Sequence, residues 1–260
     1  MRVMPSGAGR ALAILKPSPT KDRRDIAHLL DAAICRALPW KDIIMTRKIA
    51  CVAVILLAGI AAAMAADAPQ FKLRGDRFNP LTWEEMSQEQ RALVEHIVSG
   101  PRGSLNGPFN VMLRSPELGD RLQNVGEYVI FKNSLSDRLK ELAILVTARA
   151  WTAQYVWYAH HSLAMKAGLP PAIAEAIAAG KRPAKMESDD EIVYKFTREL
   201  INTKRVSDAT FAAAKARFGE RGVVDLIGTI GYYQTVAMLV DVDRYPLPDG
   251  ATLPLRALKR

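Results

Sequence analysis

Residues 137–168 read DRLKELAILVTARAWTAQYVWYAHHSLAMKAG, and this stretch decides the fold. Its first half has apolar residues at helical spacing, and Ser136 is placed to cap that helix. Thr152 is predicted to cap a second helix, which ends at Gly168 with Pro170 two residues later. The stretch therefore predicts two successive helices with a possible break near Thr152.

The remainder of the chain from about residue 80 is also predicted to be helical. Ser87–Gln90 and Ser188–Glu191 are capping-box patterns, each of which opens an apolar helical run. A helix that begins after Ser207 is predicted to end at Gly219. The sequence has no alternation typical of strands, no hairpin signal and no glycine-rich phosphate loop. We therefore expect an all-α, single-domain helical bundle.

The segment MTRKIACVAVILLAGIAAAMAADAPQ, which begins at Met45, has the features of a secretory signal peptide. Two basic residues precede the apolar run Ile49–Met64, and an A-x-A arrangement follows. The boundaries that follow are an N-terminal extension or upstream mis-start at 1–44, a signal peptide at 45–66 and a mature domain at 67–260. This predicts a periplasmic or secreted protein. The alternative is an uncleaved membrane anchor, for which so alanine-rich a run is weak.

Charge and cysteine content restrict the function of the mature domain. The net charge of the chain is +9, but residues 1–66 hold ten Lys/Arg against four Asp/Glu, which leaves +3 for residues 67–260. A nearly neutral domain of this kind predicts no nucleic-acid partner and no membrane partner after signal cleavage. The two cysteines are Cys35 and Cys51, so the mature domain has no thiol for disulfide, redox or thiolate-metal chemistry.

Glu141 and His160 are the candidate catalytic residues. A carboxylate in the apolar stretch LKELAILV needs a partner, for which Arg138, Lys140 or Arg149 would be ordinary ion-pair candidates. On one straight helix Glu141 and His160 would lie about 28 Å apart. They can meet only if the chain folds back near residues 151–153 or if subunits pack together.

The aromatic setting of QYVWYAHH adds candidate substrate-binding residues: Arg149, Tyr155, Trp157 and His161. His161 is an alternative proton donor, although one of two adjacent helical histidines commonly faces solvent. Adjacent histidines on a helix cannot hold one metal ion together, so we predict neither a metal nor a cofactor. The aromatic side chains equally fit a core or a subunit interface.

Residues 101–169 and 231–250 resemble the carboxymuconolactone decarboxylase family, which includes the alkylhydroperoxidase D-like peroxidases. The most specific motifs are ELAIL at 141–145, QYVWYAH at 154–160 and the Gly-Leu helix stop at 168–169. The resemblance implies an all-helical bundle that assembles into homotrimers or homohexamers. It also implies that Glu141 and His160 match the acidic residue and the histidine of the family's active site.

The chain departs from the family pattern at three positions. Ala153 and Val156 stand where the peroxidase branch has its Cys-x-x-Cys pair, which excludes a thiol peroxidase mechanism. Many decarboxylase-like members have glutamate at the position of Val156 and histidine at that of Ala150.

The leading hypothesis from sequence is an exported, cofactor-free decarboxylase, or a related lyase or isomerase, whose small-molecule substrate is a carboxylated lactone or ring acid. His160 would donate the proton, Glu141 would orient it, and Arg149 or Tyr155 would hold a carboxylate or enolate oxygen. The alternative is a non-catalytic member of the family that binds small molecules or has a structural role.

Overall fold

The computed structural model describes residues 71–257, which form helices and no strand. The helices in chain order are α1 (Gln88–Ser99), α2 (Phe109–Met112), α3 (Pro116–Glu127), α4 (Asp137–Trp151), α5 (Gln154–Lys166), α6 (Pro171–Ala178), α7 (Ser188–Thr203) and α8 (Asp208–Asp243), and a π-helical turn, Tyr128–Lys132, continues α3. The all-α prediction is confirmed. The predicted extension at 1–44 and the signal peptide at 45–66 lie outside the described residues.

Helix α4 lies at the centre of the larger hydrophobic core and packs against α5, α7 and α8. Leu142, Leu145 and Ala148 are completely buried, and a helix that is apolar on nearly every side is typical of the interior of a bundle. Even Lys140 is 7% exposed, because its Nζ donates a hydrogen bond of 2.6 Å to the Ile130 carbonyl.

Helix ends follow local sequence signals in most places. The Ser87–Gln90 capping box is formed, with the Ser87 hydroxyl accepting from the Gln90 N–H and the Gln90 side chain accepting from the Ser87 N–H. Ser207 caps the helix that was predicted to begin after it. The second predicted capping box is wrong: Ser188 lies inside the first turn of α7, and Glu187 occupies the cap position without a side-chain hydrogen bond.

The last helix, α8, consists of two segments separated at Gly219. This glycine has φ 70° and ψ 177°, which interrupts helical geometry at the residue where the sequence predicted a helix end. Among the described helices, α8 alone is long and apolar enough to span a membrane by length and composition. More than half of its apolar window is buried within the protein, as expected for the core helix of a globular domain.

The segments at both ends of the described chain pack on the helices. Gln154 in α5 exchanges two hydrogen bonds with the backbone of Leu255, at 2.8 and 3.0 Å. Asp243 at the end of α8 accepts from the backbone N–H groups of Asp76 and Phe78, at 3.2 and 2.9 Å. The proline-rich C-terminal segment thus contacts α5 of its own chain.

Candidate functional site

The sharp turn between α4 and α5 brings the two candidate catalytic residues together. Thr152 adopts the left-handed conformation with φ 55°, and its N–H bonds to the Arg149 carbonyl at 3.0 Å. Ala153 is extended and occupies the N-cap position of α5. Thr152 therefore ends α4, and the prediction that its side chain caps α5 was wrong. The reversal lets α5 run back along α4.

Glu141 and His160 form a hydrogen bond across these two helices. His160 Nδ1 lies 2.9 Å from Glu141 Oε2, and each side chain is only 13% exposed. A carboxylate can only accept, so Nδ1 carries the hydrogen and Nε2 is the ring nitrogen left for other partners. No other hydrogen bond of His160 is formed within residues 71–257. The ordinary ion pairs suggested for Glu141, with Arg138, Lys140 or Arg149, are not formed.

His160 lines a cavity of about 260 Å³ between α5, α8 and the loop that precedes α2. The residues around it are mainly aromatic and apolar, with a few polar groups: Arg102, Ser104, Asn106, Tyr155, Tyr232 and Tyr233. Glu141 instead lines a neighbouring cavity of about 330 Å³, together with Lys140 and Lys166. The hydrogen-bonded pair therefore lies between an aromatic cavity on the histidine side and a charged one on the glutamate side.

Two adjacent tyrosines of α8 form one wall of the His160 cavity. The Tyr233 ring lies edge-on to the His160 ring at 4.8 Å between centroids, and Tyr232 packs edge-on against Tyr233 at 5.3 Å. Burial raises the pKa of Tyr233 well above its ordinary value, and the neighbouring Tyr232 and Glu141 add to this effect. Its hydroxyl is therefore a neutral hydrogen-bond donor at any physiological pH.

Tyr155, predicted from sequence to hold substrate, does lie in the His160 cavity. Its ring packs edge-on against Tyr245 at 4.4 Å, and it lies against Gly107, whose N–H donates to the Tyr245 hydroxyl. Burial, with a smaller contribution from Tyr245, raises the pKa of Tyr155 well above its usual range.

Trp157 and His161 are turned toward a different cavity. Their rings stack at 6.1 Å, and both line a cavity of about 570 Å³ that also contains Glu175. No hydrogen bond joins His161 to Glu175 or to any other described side chain. The geometry therefore separates the two adjacent histidines: His160 has a carboxylate partner, and His161 has none in the part of the chain described.

Arg149 lies away from His160, in a cavity of about 670 Å³ that it shares with Glu175 and Arg256. The residue is 3% exposed, and its buried Nε and Nη1 have no hydrogen-bond partner among residues 71–257. Burial lowers the pKa of Arg149, as expected for a cation removed from water. The structure thus does not bring Arg149 to the cavity where sequence reasoning placed it.

Replacing Arg149 with methionine is expected to raise the free energy of unfolding by about 1–3 kcal/mol, because an unpaired buried cation is exchanged for an apolar side chain of similar length. Urea denaturation of the purified protein measures the change. Arg256→Met is the control, since Arg256 lines the same cavity but is exposed, and should change stability by less than about 0.5 kcal/mol. A destabilised Arg149→Met protein would contradict the prediction and reveal a partner for this cation in the assembled protein.

The structure adds Arg102, Tyr232 and Tyr233 to the site, none of which the sequence had singled out for binding or catalysis. Arg102 belongs to the stop signal after α1, and the tyrosines look like ordinary core residues of an apolar helix. Within the described part of the chain, no group of three or more His, Cys, Asp or Glu side chains could hold a metal ion.

Comparison with known proteins found one similar family and a similar solved fold. Residues 116–185 match the carboxymuconolactone decarboxylase family. The crystal structure of an alkylhydroperoxidase AhpD core, an uncharacterized peroxidase-related protein from Ralstonia eutropha JMP134, is similar with a TM-score of 0.56 and 13% identity, covering 68% of this chain and 95% of that one. The search of curated proteins found no match. The matched segment contains both Glu141 and His160, so over residues 116–185 the chain is similar to the carboxymuconolactone decarboxylase family, and its helical fold is similar to that of the AhpD core.

Proposed function

We propose that this chain is a cofactor-free acid–base enzyme, a carboxy-lyase whose substrate is a small carboxylated lactone or related ring acid. The observation that carries the proposal is the bond between Glu141 and His160, which orients the imidazole and leaves Nε2 available at an aromatic cavity. A partly buried histidine held by a carboxylate is the usual arrangement of a general acid or base. The family match over residues 116–185 supports the reaction class.

The proposed reaction needs only groups that the cavity supplies. The bond between the ring and its carboxylate breaks, CO2 leaves, and the electron pair passes into a conjugated ring carbonyl to form an enolate. In the proposed step His160 acts as the imidazolium, with Nδ1–H held by Glu141, and its Nε2–H passes to carbon. This leaves neutral imidazole with its hydrogen on Nδ1, and a proton from solvent restores Nε2–H, so that the net reaction consumes one proton and releases CO2. Tyr155 and Tyr233 line the same cavity, and their hydroxyls are the proposed hydrogen-bond donors to the enolate oxygen.

Peroxidase activity through a thiol is not part of the proposal, although the similar crystal structure is described as peroxidase-related. Ala153 and Val156 occupy the two positions of the cysteine pair and are 0% and 1% exposed. Both cysteines of the chain precede residue 67. A disulfide-forming cycle has no nucleophile at this site.

The purified protein is assayed for CO2 release from 4-carboxymuconolactone to test the proposal. We expect turnover by the wild type and a kcat about 10²–10⁴-fold lower for His160→Gln. His161→Gln distinguishes the adjacent histidines and should retain activity. His96→Gln is the matched control, because His96 also pairs with a carboxylate, Asp120 at 2.6 Å, but on the surface. Full activity of His160→Gln would refute the assignment.

A binding protein without catalysis is the second candidate, and Val156 and Ala150 favour it, since many decarboxylase-like proteins have glutamate and histidine at these positions. Saturable binding of ring acids by the wild type without any turnover of 4-carboxymuconolactone or of those acids would select this alternative. The Glu141–His160 pair would then have a structural role only.

We further propose export of the domain and assembly into homotrimers or homohexamers. The signal-like segment 45–66 supports export. Exposed apolar side chains along α8, with Val224 66% and Val242 53% exposed, support association with further copies. Cell fractionation and analytical ultracentrifugation test the two statements, and a cytoplasmic or monomeric protein would contradict them.

A further inference from the structure

Arg102 reaches the His160 cavity from the loop between α1 and α2, outside the segment that matches the family. Two contacts hold its guanidinium in place. Nε donates a 3.0 Å hydrogen bond to the Gln123 side chain, and the guanidinium carbon lies 5.2 Å from the centre of the Phe109 ring. The guanidinium is thus held by a hydrogen bond along one edge and by an aromatic ring against one face. It is already oriented, so its remaining edge can bind a ligand.

The remaining edge of Arg102 has no carboxylate partner. Its Nη2 is buried beside the Tyr232 hydroxyl, and no carboxylate of residues 71–257 forms a salt bridge with it. Burying a cation without a counter-charge is costly. Such a cost is typical of a group whose partner is a ligand.

Tyr232 places a second donor beside this nitrogen. A Cβ added at Gly126 would clash with both the Tyr232 hydroxyl and Arg102 Nη2, so the two groups converge over this glycine. Burial raises the pKa of Tyr232 while the nearby Arg102 opposes the effect, so the hydroxyl keeps its proton and lies within the influence of the cation. The Tyr232 hydroxyl interacts with Arg102 itself, so the two groups are available to a ligand as a pair.

We propose that Arg102 Nη2 and the Tyr232 hydroxyl bind the carboxylate of a small ring acid, with the ring lying against the aromatic wall of the His160 cavity. One charged and one neutral donor side by side suit the two oxygens of a planar carboxylate. A cavity of about 260 Å³ limits the ligand to roughly one ring with short substituents. Arg102 thereby selects acids over neutral analogues, and this inference rests on the site of the proposed function.

The carboxylate held by Arg102 is an anchor rather than the reacting group. An ion pair formed in the bound state would stabilise a departing carboxylate before the reaction more than during it, which slows its loss. The anchor instead sets the position of the ring relative to His160 Nε2.

Isothermal titration calorimetry of the purified protein tests the proposal. It compares the dissociation constants of benzoate and 2-furoate with those of their neutral amides. The wild type should bind each acid at least about tenfold more tightly than the amide, since a charge-assisted contact contributes about 1.5 kcal/mol or more. Arg102→Met should remove the preference for the acid. Tyr232→Phe should reduce it about three- to tenfold without a loss of the cation. Arg91→Met is the matched control, because Arg91 lies 5.3 Å from the Trp83 ring centre but outside the cavity.

The outcomes separate this inference from the catalytic proposal. If the wild type binds acids selectively through Arg102 but releases no CO2, the proposal of carboxylate binding is supported and the decarboxylase proposal is refuted. If neither acid binds, or acids and amides bind equally well, the anchor is refuted whatever the turnover. If Arg102→Met does not fold, two other measurements test the proposal: acid binding by Tyr232→Phe and the salt dependence of acid binding by the wild type. An affinity for acids that does not change with salt would also refute an ion pair.

Discussion

Replacing Glu141 with glutamine is expected to lower kcat about 10–100-fold while KM changes less than about threefold. Glutamine keeps the size of the side chain, but it can no longer offer a charged acceptor to His160 Nδ1 across the 2.9 Å contact. The imidazole then loses its preferred tautomer and orientation, and loss of such an orienting group typically costs this factor. Steady-state kinetics with the substrate identified by the CO2 assay gives both parameters.

Two further readouts show that Glu141 acts by positioning His160 and is not simply needed for folding. Glu141→Asp keeps the charge and should recover part of the lost kcat. In ¹⁵N-histidine NMR spectra, the Nδ1–H form of His160 should be reduced in Glu141→Gln. Glu187→Gln is the control, since Glu187 pairs with Arg138 at 2.8 Å on the exposed surface. Equal kcat values for Glu141→Gln and the wild type would contradict the role.

Replacing Asp225 with alanine is expected to lower the free energy of unfolding by about 3 kcal/mol, or roughly 6–12 °C in melting temperature. Asp225 is 6% exposed and accepts hydrogen bonds from the Ser134 N–H and hydroxyl, at 2.9 and 2.6 Å, and from the Tyr128 hydroxyl at 3.0 Å. These bonds join α8 to the connection between α3 and α4. Without the carboxylate the buried donors lose their acceptor.

The effect should depend on pH in a defined direction. Burial alone would raise the pKa of Asp225, but the hydrogen bonds from Ser134 and Tyr128, with the charge of Arg221, hold it below its ordinary value. A lowered pKa in the folded state stabilises the protein above the unfolded-state value near 3.9, and this contribution is lost as the pH falls further. The loss in free energy of unfolding caused by Asp225→Ala should therefore be constant from pH 7 to about 5 and become smaller below about pH 4.

Chemical denaturation at several pH values measures this dependence. Arg221→Ala is the comparison, because Arg221 approaches Asp225 only at 3.8 Å and its side chain is 70% exposed. Its loss should cost less than about 1 kcal/mol. If both substitutions cost the same, the ion pair rather than the hydrogen bonds would hold Asp225, and our account would be wrong.

Helix formation was predictable from local sequence, whereas the details of capping were less so. Ser87 caps its helix as predicted, the helix after Ser207 begins where expected, and Gly219 breaks α8 at the predicted residue. The pattern at Ser188 failed, because a hydroxyl and an acid at the right spacing do not specify which residue leaves helical geometry first. Thr152 was identified as a boundary residue, but its left-handed conformation, unusual for a β-branched residue, was not predictable.

The sequence predicted only some of the residues of the candidate site. Glu141 and His160 lie in the two motifs ELAIL and QYVWYAH, so a family resemblance was enough to single them out. Arg102 precedes that motif in the chain and Tyr232 follows it, and each belongs to a pattern with an ordinary explanation. Arg149 shows the converse, since its place in the motif suggested a substrate contact, but its direction on α4 takes it to another cavity.

The sequence by itself determined the helical class of the domain and the absence of thiol chemistry after residue 66, because helix periodicity, caps and cysteine positions are local properties of the chain. The tertiary structure alone decided which histidine acquires a carboxylate partner. A left-handed residue at Thr152 reverses the chain, and this converts a separation of 19 residues into a 2.9 Å hydrogen bond. It also decided that Arg102 faces the same cavity, since contacts between distant segments depend on how whole helices pack.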